Sequence, residues 1–477
     1  MTNIFATGQP QDIPAVLANK DRRTALQQRL VAAHPGMTVV AAKLNIPGPI
    51  KNNRAIQRFF TAELLVLERD WLTAGQLFCQ DTEWLDAGTG PERFYLVKAA
   101  PQDVKAQTTR FEEGQASHRL FDLDVLVQRA GQVVPLSRAD SRQPARRCFI
   151  CGRPAKECGR SRRHTVAELQ AAVSSLISAA LAVEQRRRVR DRLVAFAQQS
   201  LLYEVVAWPK PGLVDPVEHG AHPDMSVFTF INSSLSFRRY LEQAAELGLN
   251  GHPDDYPLMF KELREFGKRA EQAMFTATHD VNTHKGAVFS LGIMTLAVAD
   301  SWRRNGRVDL ADIQATVKQL LVGLVQDDLQ KKAATNQQTA GELQYRQYGL
   351  TGIRGEAQAG YPTVFDHGLP TMLATAGEWN RRIIQTMLTL ARYTEDSTLV
   401  KRAGDPAILE RKNTQVDACL AAGGITTAAG RAKLAQLEQE FTAKHLSLGG
   451  TADLLIVTIF LTLVKEELAD GLSNENE

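Results

Sequence analysis

The chain changes periodicity part way along, and no single packed layer accommodates both patterns. Between residue 38 and about residue 134, short β-rich pieces at 38–41, 93–97 and 120–127 alternate with helix-like stretches. Beyond a boundary placed near residue 181, Ala, Leu, Gln and Glu dominate, and amphipathic windows recur at 191–206, 235–247 and 434–444. A period of two calls for a sheet with a covered face, and a period of 3.6 calls for helices packed on helices. The pattern predicts two domains: an N-terminal α/β (α+β) domain over 1–181 and a C-terminal, nearly all-α domain over 182–477. A length of 477 residues also exceeds what one ordinary core serves. At the junction, Thr165-Val-Ala-Glu168 has the spacing of a capping box and predicts a helix start.

Charge and cysteine usage remove several classes of function. A formal net charge of +3 on so long a chain does not favour a general nucleic-acid binder. Three of the five cysteines crowd between residues 148 and 158, which is not a disulfide framework and fits a reducing, cytoplasmic setting. The first 14 residues lack the basic and apolar regions of a secretory signal. The apolar run 454–464 is interrupted by threonines and too short to span a bilayer, so it predicts a buried helix and no membrane.

In the first half, Asp122 and Asp124 lie two apart in an apolar strand pattern, which puts both carboxylates on one face. Such a pair suits a hard divalent cation shared with phosphate oxygens, and it equally suits a solvated strand face. The following segment holds Arg142, Arg146, Arg147, Arg153, Lys156, Arg160, Arg162 and Arg163. That density fits a polyphosphate or an acidic partner protein. Cys148, Cys151, Cys158 and His164 form C-x2-C-x6-C-x5-H, the ligand types of a structural zinc site; free cysteines beneath a basic loop explain the same letters.

Lys43-Leu-Asn45-Ile-Pro-Gly-Pro-Ile-Lys51, Arg119-Leu-Phe-Asp122-Leu-Asp124-Val and the Arg147–His164 segment resemble the holo-citrate lyase synthase family over nearly all of the first half. The resemblance implies a nucleotidyltransferase-like domain that moves phosphoribosyl-dephospho-CoA onto a serine of an acyl carrier protein and expels pyrophosphate. Asp122 and Asp124 would then hold Mg2+. Arg119, Arg147, Arg160, Arg162 and Arg163 would neutralise the triphosphate, and Asn45 and Lys51 would position a substrate. The Pro-Gly-Pro segment between those two residues is also a plain structural turn.

The second half carries polar blocks between its helices. Residues 209–215 lead into His219-Gly-Ala-His222-Pro-Asp224, where His and Asp offer a base and an orienting partner. Read as a helix, 280–287 would put His284 with Asp280 on one face, and Asn282, Lys285 and Gly286 on the adjoining face. The bland reading there is a helix N-terminus capped by Asn282. Glu342 precedes Gly352-Ile-Arg354-Gly-Glu356, in which glycines would bring backbone N–H groups to an anion. Gly449-Gly-Thr451-Ala-Asp453 precedes the last apolar run, with Thr451 or Asp453 as a helix cap.

In this order the blocks resemble the triphosphoribosyl-dephospho-CoA synthase family over essentially the whole second half. The resemblance implies transfer of the 5-triphosphoribosyl group of ATP to 3'-dephospho-CoA with loss of adenine. Asp215, His222, Asp224, His284, Glu342, Glu356 and Asp453 are the acid and base candidates. Asn282, Lys285 and Arg354 are the substrate ligands, with Arg402 beside them; relatives often carry Asn where this chain has Thr398. The implied partners are ATP, 3'-dephospho-CoA and the apo acyl carrier protein of citrate lyase, with the carrier of malonate decarboxylase still open. Two other classes compete: a single nucleotidyltransferase with a helical docking module, and a carrier-protein chaperone.

Overall fold

The computed structural model describes residues 3–140, 144–253, 255–331 and 340–468; Arg142 lies outside the described residues. The chain divides into two compact units, residues 1–186 and 187–477.

The first unit is built on a five-stranded antiparallel sheet of order β2-β3-β1-β4-β5. Its strands are β1 (Thr38–Leu44), β2 (Phe78–Trp84), β3 (Glu92–Val97), β4 (Phe121–Arg129) and β5 (Gln132–Pro135). The α+β alternative is the one realised. Helix α1 (Ile13–Ala33) supplies Leu26 and Leu30 to one sheet face, against Val39, Ala41, Phe94, Leu96 and Leu126. Helices α2 (Arg54–Thr73) and α3 (Pro101–Gly114) cover the other. Asn53 caps α2 by accepting from the Ile56 N–H. From there Ile56, Phe59, Phe60, Leu64, Leu67 and Trp71 recur at helical spacing as its buried stripe. A short helix, α4 (Ala155–Arg160), lies in the basic segment.

Helix α5 (Val166–Val206) runs for 41 residues, and the division between the units falls inside it. Its start is the expected capping box: Glu168 accepts from the Thr165 N–H, and Thr165 Oγ1 accepts from the Glu168 N–H. Among the described residues, α5 is the one helix long and apolar enough to cross a membrane, its richest stretch having a mean hydropathy of 1.7. Val173 and Ile177 join the core of the first unit, whereas Val189, Leu193 and Leu201 join that of the second.

The described part of the second unit beyond α5 is helical. Its elements are α6 (Val227–Ser236), α7 (Arg238–Asn250), α8 (Tyr256–Ala277), α9 (Lys285–Asn305), α10 (Leu310–Leu320), α11 (Ala340–Tyr348) and α12 (Gly352–Gln358). They continue as α13 (Leu369–Ala374), α14 (Trp379–Tyr393), α15 (Ser397–Ala403), α16 (Ile408–Ala421), α17 (Ala428–Ala443) and α18 (Gly449–Leu468). Helices α9 and α18 are the core of this unit, buried continuously over 290–302 and 454–464. Thr458 and Thr462 interrupt the apolar run without cost in lost partners, because their hydroxyls donate to Leu454 O and Thr458 O, each at 2.8 Å.

One local expectation is corrected. Residues 280–284 are not helical. Asp280 N–H closes onto Phe275 O at 2.8 Å, and His279 and Asp280 adopt positive φ of 53° and 66°, so α8 ends there and α9 begins only at Lys285. His284 occupies the cap position of α9, and Asn282 does not cap it. The helical faces expected for 280–287 therefore do not form.

Candidate functional site

The first unit gathers its charges where β1 and β4 pair. The register sets Lys43 opposite Asp122 and Ala41 opposite Asp124, which places both carboxylates on the α1 face beyond its apolar patch. Lys43 Nζ stands between them, 2.6 Å from Asp122 Oδ2 and 2.8 Å from Asp124 Oδ2. Burial opposes the charge on Lys43, but Asp124 and Asp122 outweigh it and raise its pKa. Burial would likewise raise the Asp122 carboxyl; Lys43, then Arg146, hold it below its ordinary value. Lys43 was missed as a site residue, because only the register of β1 on β4 brings it to the Asp pair.

The basic ribbon meets this strand through backbone carbonyls. Arg146 donates to Arg119 O at 2.8 Å and to Phe121 O, and Arg119 donates to Arg147 O. Arg119 is thus turned toward the ribbon itself, whereas Arg147, Arg153, Arg160, Arg162 and Arg163 are exposed. The Pro-Gly-Pro turn docks on the start of α5, with Gln170 Nε2 donating to Pro47 O at 3.3 Å. Asn45 is exposed, and Lys51 Nζ donates to Ile46 O at 2.5 Å, so Lys51 closes the turn. Burial lowers the pKa of Lys51. Cys148, Cys151, Cys158 and His164 converge, their ligand atoms all within 4.8 Å of one another.

Two cavities of the second unit, of about 780 and 640 Å3, share a wall of Lys285, Gly286, Gly341, Ser397, Thr398 and Asp453. The N-terminal ends of α9 and α18 open onto it through Lys285, Gly286 and Gly450, an arrangement that favours anions. Asp453 is the group this wall perturbs most. Burial first, then Asp396 and Glu204, raise its pKa well above the ordinary carboxylate value, while the Ala287 N–H opposes the shift. The shift favours the protonated carboxyl over the carboxylate at this position. A β-carbon at Gly286 would collide with the Asp453 carboxyl group, so any side chain there would displace that group.

The larger cavity carries Arg264, Lys268, Glu271, Arg354 and Glu356. Arg264 and Arg354 both reach Asp328, at 2.6 and 3.3 Å, and Lys285 pairs with Glu271 at 2.9 Å. Arg264 and Lys268 were missed; with Glu271 they form an i, i+4, i+7 stripe on α8 that marked them as one face. Burial raises the pKa of Glu356, against hydrogen bonds from the Thr363 N–H and hydroxyl.

The smaller cavity carries His222, Asp224, Asn282, His284 and Arg402. Burial first, then Arg402, lowers His222 to about 4, so its ring is neutral near pH 7. Arg402 Nη2 donates to His222 Nδ1 at 3.0 Å, which leaves Nε2 toward Ser447 Oγ at 3.0 Å. His284 is lowered to about 3 by burial first and then by Lys210; its Nδ1 meets Ser233 Oγ at 2.7 Å. Neither imidazole supplies a proton at neutral pH. Glu204, which also lines this cavity, makes a buried pair with Lys210 at 2.6 Å that nothing in the local sequence announced.

Two expected site residues do not line either cavity. Asp215 is buried and accepts from the Val217 and Glu218 N–H groups at 2.8 and 2.9 Å, which makes it the clamp of its own turn. Glu342 is buried in α11. Thr451 is no free cap: its hydroxyl and N–H both donate to Asp396, which also accepts from Thr398 and Leu399 and so ties α15 to α18.

Two families match the chain in succession. The family described as apo-citrate lyase phosphoribosyl-dephospho-CoA transferase matches residues 11–180, and the family described as ATP:dephospho-CoA triphosphoribosyl transferase matches residues 190–471. The chain is 38% identical over 464 residues to Protein CitXG of Leuconostoc mesenteroides subsp. cremoris, covering 96% of this chain and 98% of that relative. It is 30% identical over 477 residues to Protein CitXG of Haemophilus influenzae, covering 96% and 97%. It is 46% identical over 280 residues to the probable 2-(5''-triphosphoribosyl)-3'-dephosphocoenzyme-A synthase of Lactiplantibacillus plantarum, covering 58% of this chain and 98% of that protein.

Proposed function

The chain belongs to a family of fused transferases, and from that premise we infer that it runs two consecutive reactions. It makes 2'-(5''-triphosphoribosyl)-3'-dephospho-CoA from ATP and 3'-dephospho-CoA and releases adenine. It then transfers the phosphoribosyl-dephospho-CoA group to a serine of the citrate lyase acyl carrier protein and releases pyrophosphate. The first reaction is assigned to residues 182–477 and the second to residues 1–181, as a nucleotidyltransferase-like domain.

The observation that carries the synthase assignment is Asp453, its pKa raised by burial, on the wall common to the two cavities. ATP is placed in the larger one, where Arg264, Lys268, Lys285 and Arg354 would balance its triphosphate, and dephospho-CoA in the smaller one. In the reaction the 2'-hydroxyl of dephospho-CoA forms a bond to the ribose anomeric carbon of ATP while the bond from that carbon to adenine breaks. Asp453 gives its proton to the departing adenine and regains one from the attacking hydroxyl, so the balance closes. His222 and Arg402 orient the acceptor as neutral and cationic donors. Bound substrates filling the two cavities would keep water from competing for the oxocarbenium-like carbon.

In the first unit, Asp122 and Asp124 are two hard oxygen donors on one strand face, which fits Mg2+. Lys43, on a flexible stem, balances that pair and would yield its place. When bound, the ion would neutralise charge on the triphosphate and on leaving pyrophosphate. The exposed arginines at 147, 160, 162 and 163 would hold the triphosphate.

The test is to incubate the full chain with ATP, dephospho-CoA, Mg2+ and apo-carrier. Free adenine and a phosphoribosyl-dephospho-CoA mass gain on a carrier serine are expected. Adenine formation without any carrier modification would refute the assignment of the second reaction.

A further inference from the structure

The reaction scheme leaves the four ligand-type residues of the basic ribbon without a task. We propose that Cys148, Cys151, Cys158 and His164 bind one zinc ion in a closed four-ligand site, and that this ion fixes the arginine ribbon against the strand that carries Asp122.

The ligands come from three separate pieces of chain. Cys148 and Cys151 sit in a tight turn, closed by the Gly152 N–H to Cys148 O at 3.0 Å and by the Cys148 N–H to Arg153 O at 2.7 Å. Gly152 turns it with φ of 69°. Cys158 is buried on α4, and His164 immediately precedes the Thr165 cap of α5. The turn and α4 fold the six residues between Cys151 and Cys158 back on themselves, which brings the two thiols together.

Distance and polarity agree. Cys151 Sγ and Cys158 Sγ are 3.7 Å apart. Two thiolates on one tetrahedral zinc, each about 2.3 Å from the metal, are separated by about 3.75 Å. His164 Nε2 is buried without a hydrogen-bond partner, a cost that a metal bond would remove. Four protein ligands leave no open position, so the site is structural and not catalytic.

The mechanical consequence follows from the neighbouring bonds. Arg146, two residues before Cys148, is the anchor that donates to Arg119 O and Phe121 O at the start of β4. Ala155 N–H, at the start of α4, donates back to Arg146 O at 2.8 Å. Joining this turn to α4 and to the lead of α5 through one ion therefore fixes the ribbon next to the Asp122 end of the strand. That the ribbon serves the transferase rests on the reading above; the metal itself does not.

The full chain, purified under reducing conditions without chelator, should contain one zinc per molecule by elemental mass spectrometry. Cys148, Cys151 and Cys158 should resist a thiol reagent until a zinc-selective chelator is added in excess Mg2+, while exposed Cys79 reacts throughout. Trypsin should then cut within 153–163 at least ten-fold faster. Cys158→Ser should lose the zinc and keep adenine release, which belongs to the other unit. Trace zinc even after dialysis against zinc sulfate, a disulfide among these cysteines in place of metal, or unchanged thiol and trypsin rates on chelation would each overturn the proposal. Because none of these readouts requires carrier modification, they separate this site's failure from failure of the transferase assignment.

Discussion

The two units handle phosphate-rich substrates in opposite ways. In the first, the acidic pair lies about one-third exposed at the end of a sheet face, and the arginines stand on an exposed ribbon. In the second, the decisive groups line recessed cavities, where burial lowers the pKa of His222 and His284 and raises that of Asp453. The difference follows what each must admit and exclude. A site that receives a serine on a folded carrier has to be open, and its electrostatics act through screened charges. A site that exposes an anomeric carbon has to keep water out, and there each charge is felt at low dielectric.

The comparison breaks most directly at Asp453. Asp453→Asn should lower adenine release by about 10^2- to 10^4-fold, the usual worth of a positioned acid. It should leave carrier labelling intact when the triphosphoribosyl intermediate is supplied. Loss of both activities would mean that the units are not separable. The reciprocal change, Asp122→Asn with Asp124→Asn, should reduce carrier labelling by about 10^2- to 10^3-fold while adenine release continues. Labelling that survives this change would return the carrier-protein chaperone to contention.

A smaller effect sharpens the claim that the second site depends on close packing around Asp453. Gly286→Ala pushes against the Asp453 carboxylate, and a displacement of that group should cost about 10^2-fold in adenine release, because misplacement by an ångström is felt on that scale. In the first unit, replacing Arg162 or Arg163 by Gln should raise the KM for the intermediate only about two- to five-fold each, as expected for exposed charge pairs. That effect should vanish at high salt, whereas the effect of Arg264→Gln on the synthase step should persist.

The last prediction is a pH dependence. Because folding raises the Asp453 pKa above its ordinary 3.8, the stability tied to its protonated form is full below that value and is lost as pH rises. Between the ordinary and the raised pKa the folded chain holds a proton that the unfolded chain has released. Asp453→Asn should therefore raise the denaturation midpoint at pH 7, and the advantage should shrink toward pH 4. An advantage that grows on acidification contradicts a raised pKa.

Much of the scaffold was legible because it rests on local signals. β1, β3, β4, the Thr165 capping box and the buried run of α18 each carry their pattern in a few consecutive residues. β2 was not legible: Cys-Gln-Asp-Thr-Glu is poor in strand formers and mostly exposed, and it becomes a strand by pairing with β3 at the sheet edge. β5 is too short for its period to be read. The end of α8 at His279 and Asp280 was missed because left-handed backbone at a non-glycine residue leaves little trace in composition.

By itself the sequence determined that there are two domains of different class and which blocks carry carboxylates, imidazoles, guanidinium groups and thiols. It did so because periodicity and residue chemistry are local properties. Only the tertiary structure decided which of those groups meet. Lys43 reaches the Asp pair through strand register, Asp453 reaches Gly286 through the meeting of α9 and α18, and Asp215 is retained by its own turn. The pKa shifts arise at the same level, since the desolvation that moves a pKa is produced by residues far apart in the chain.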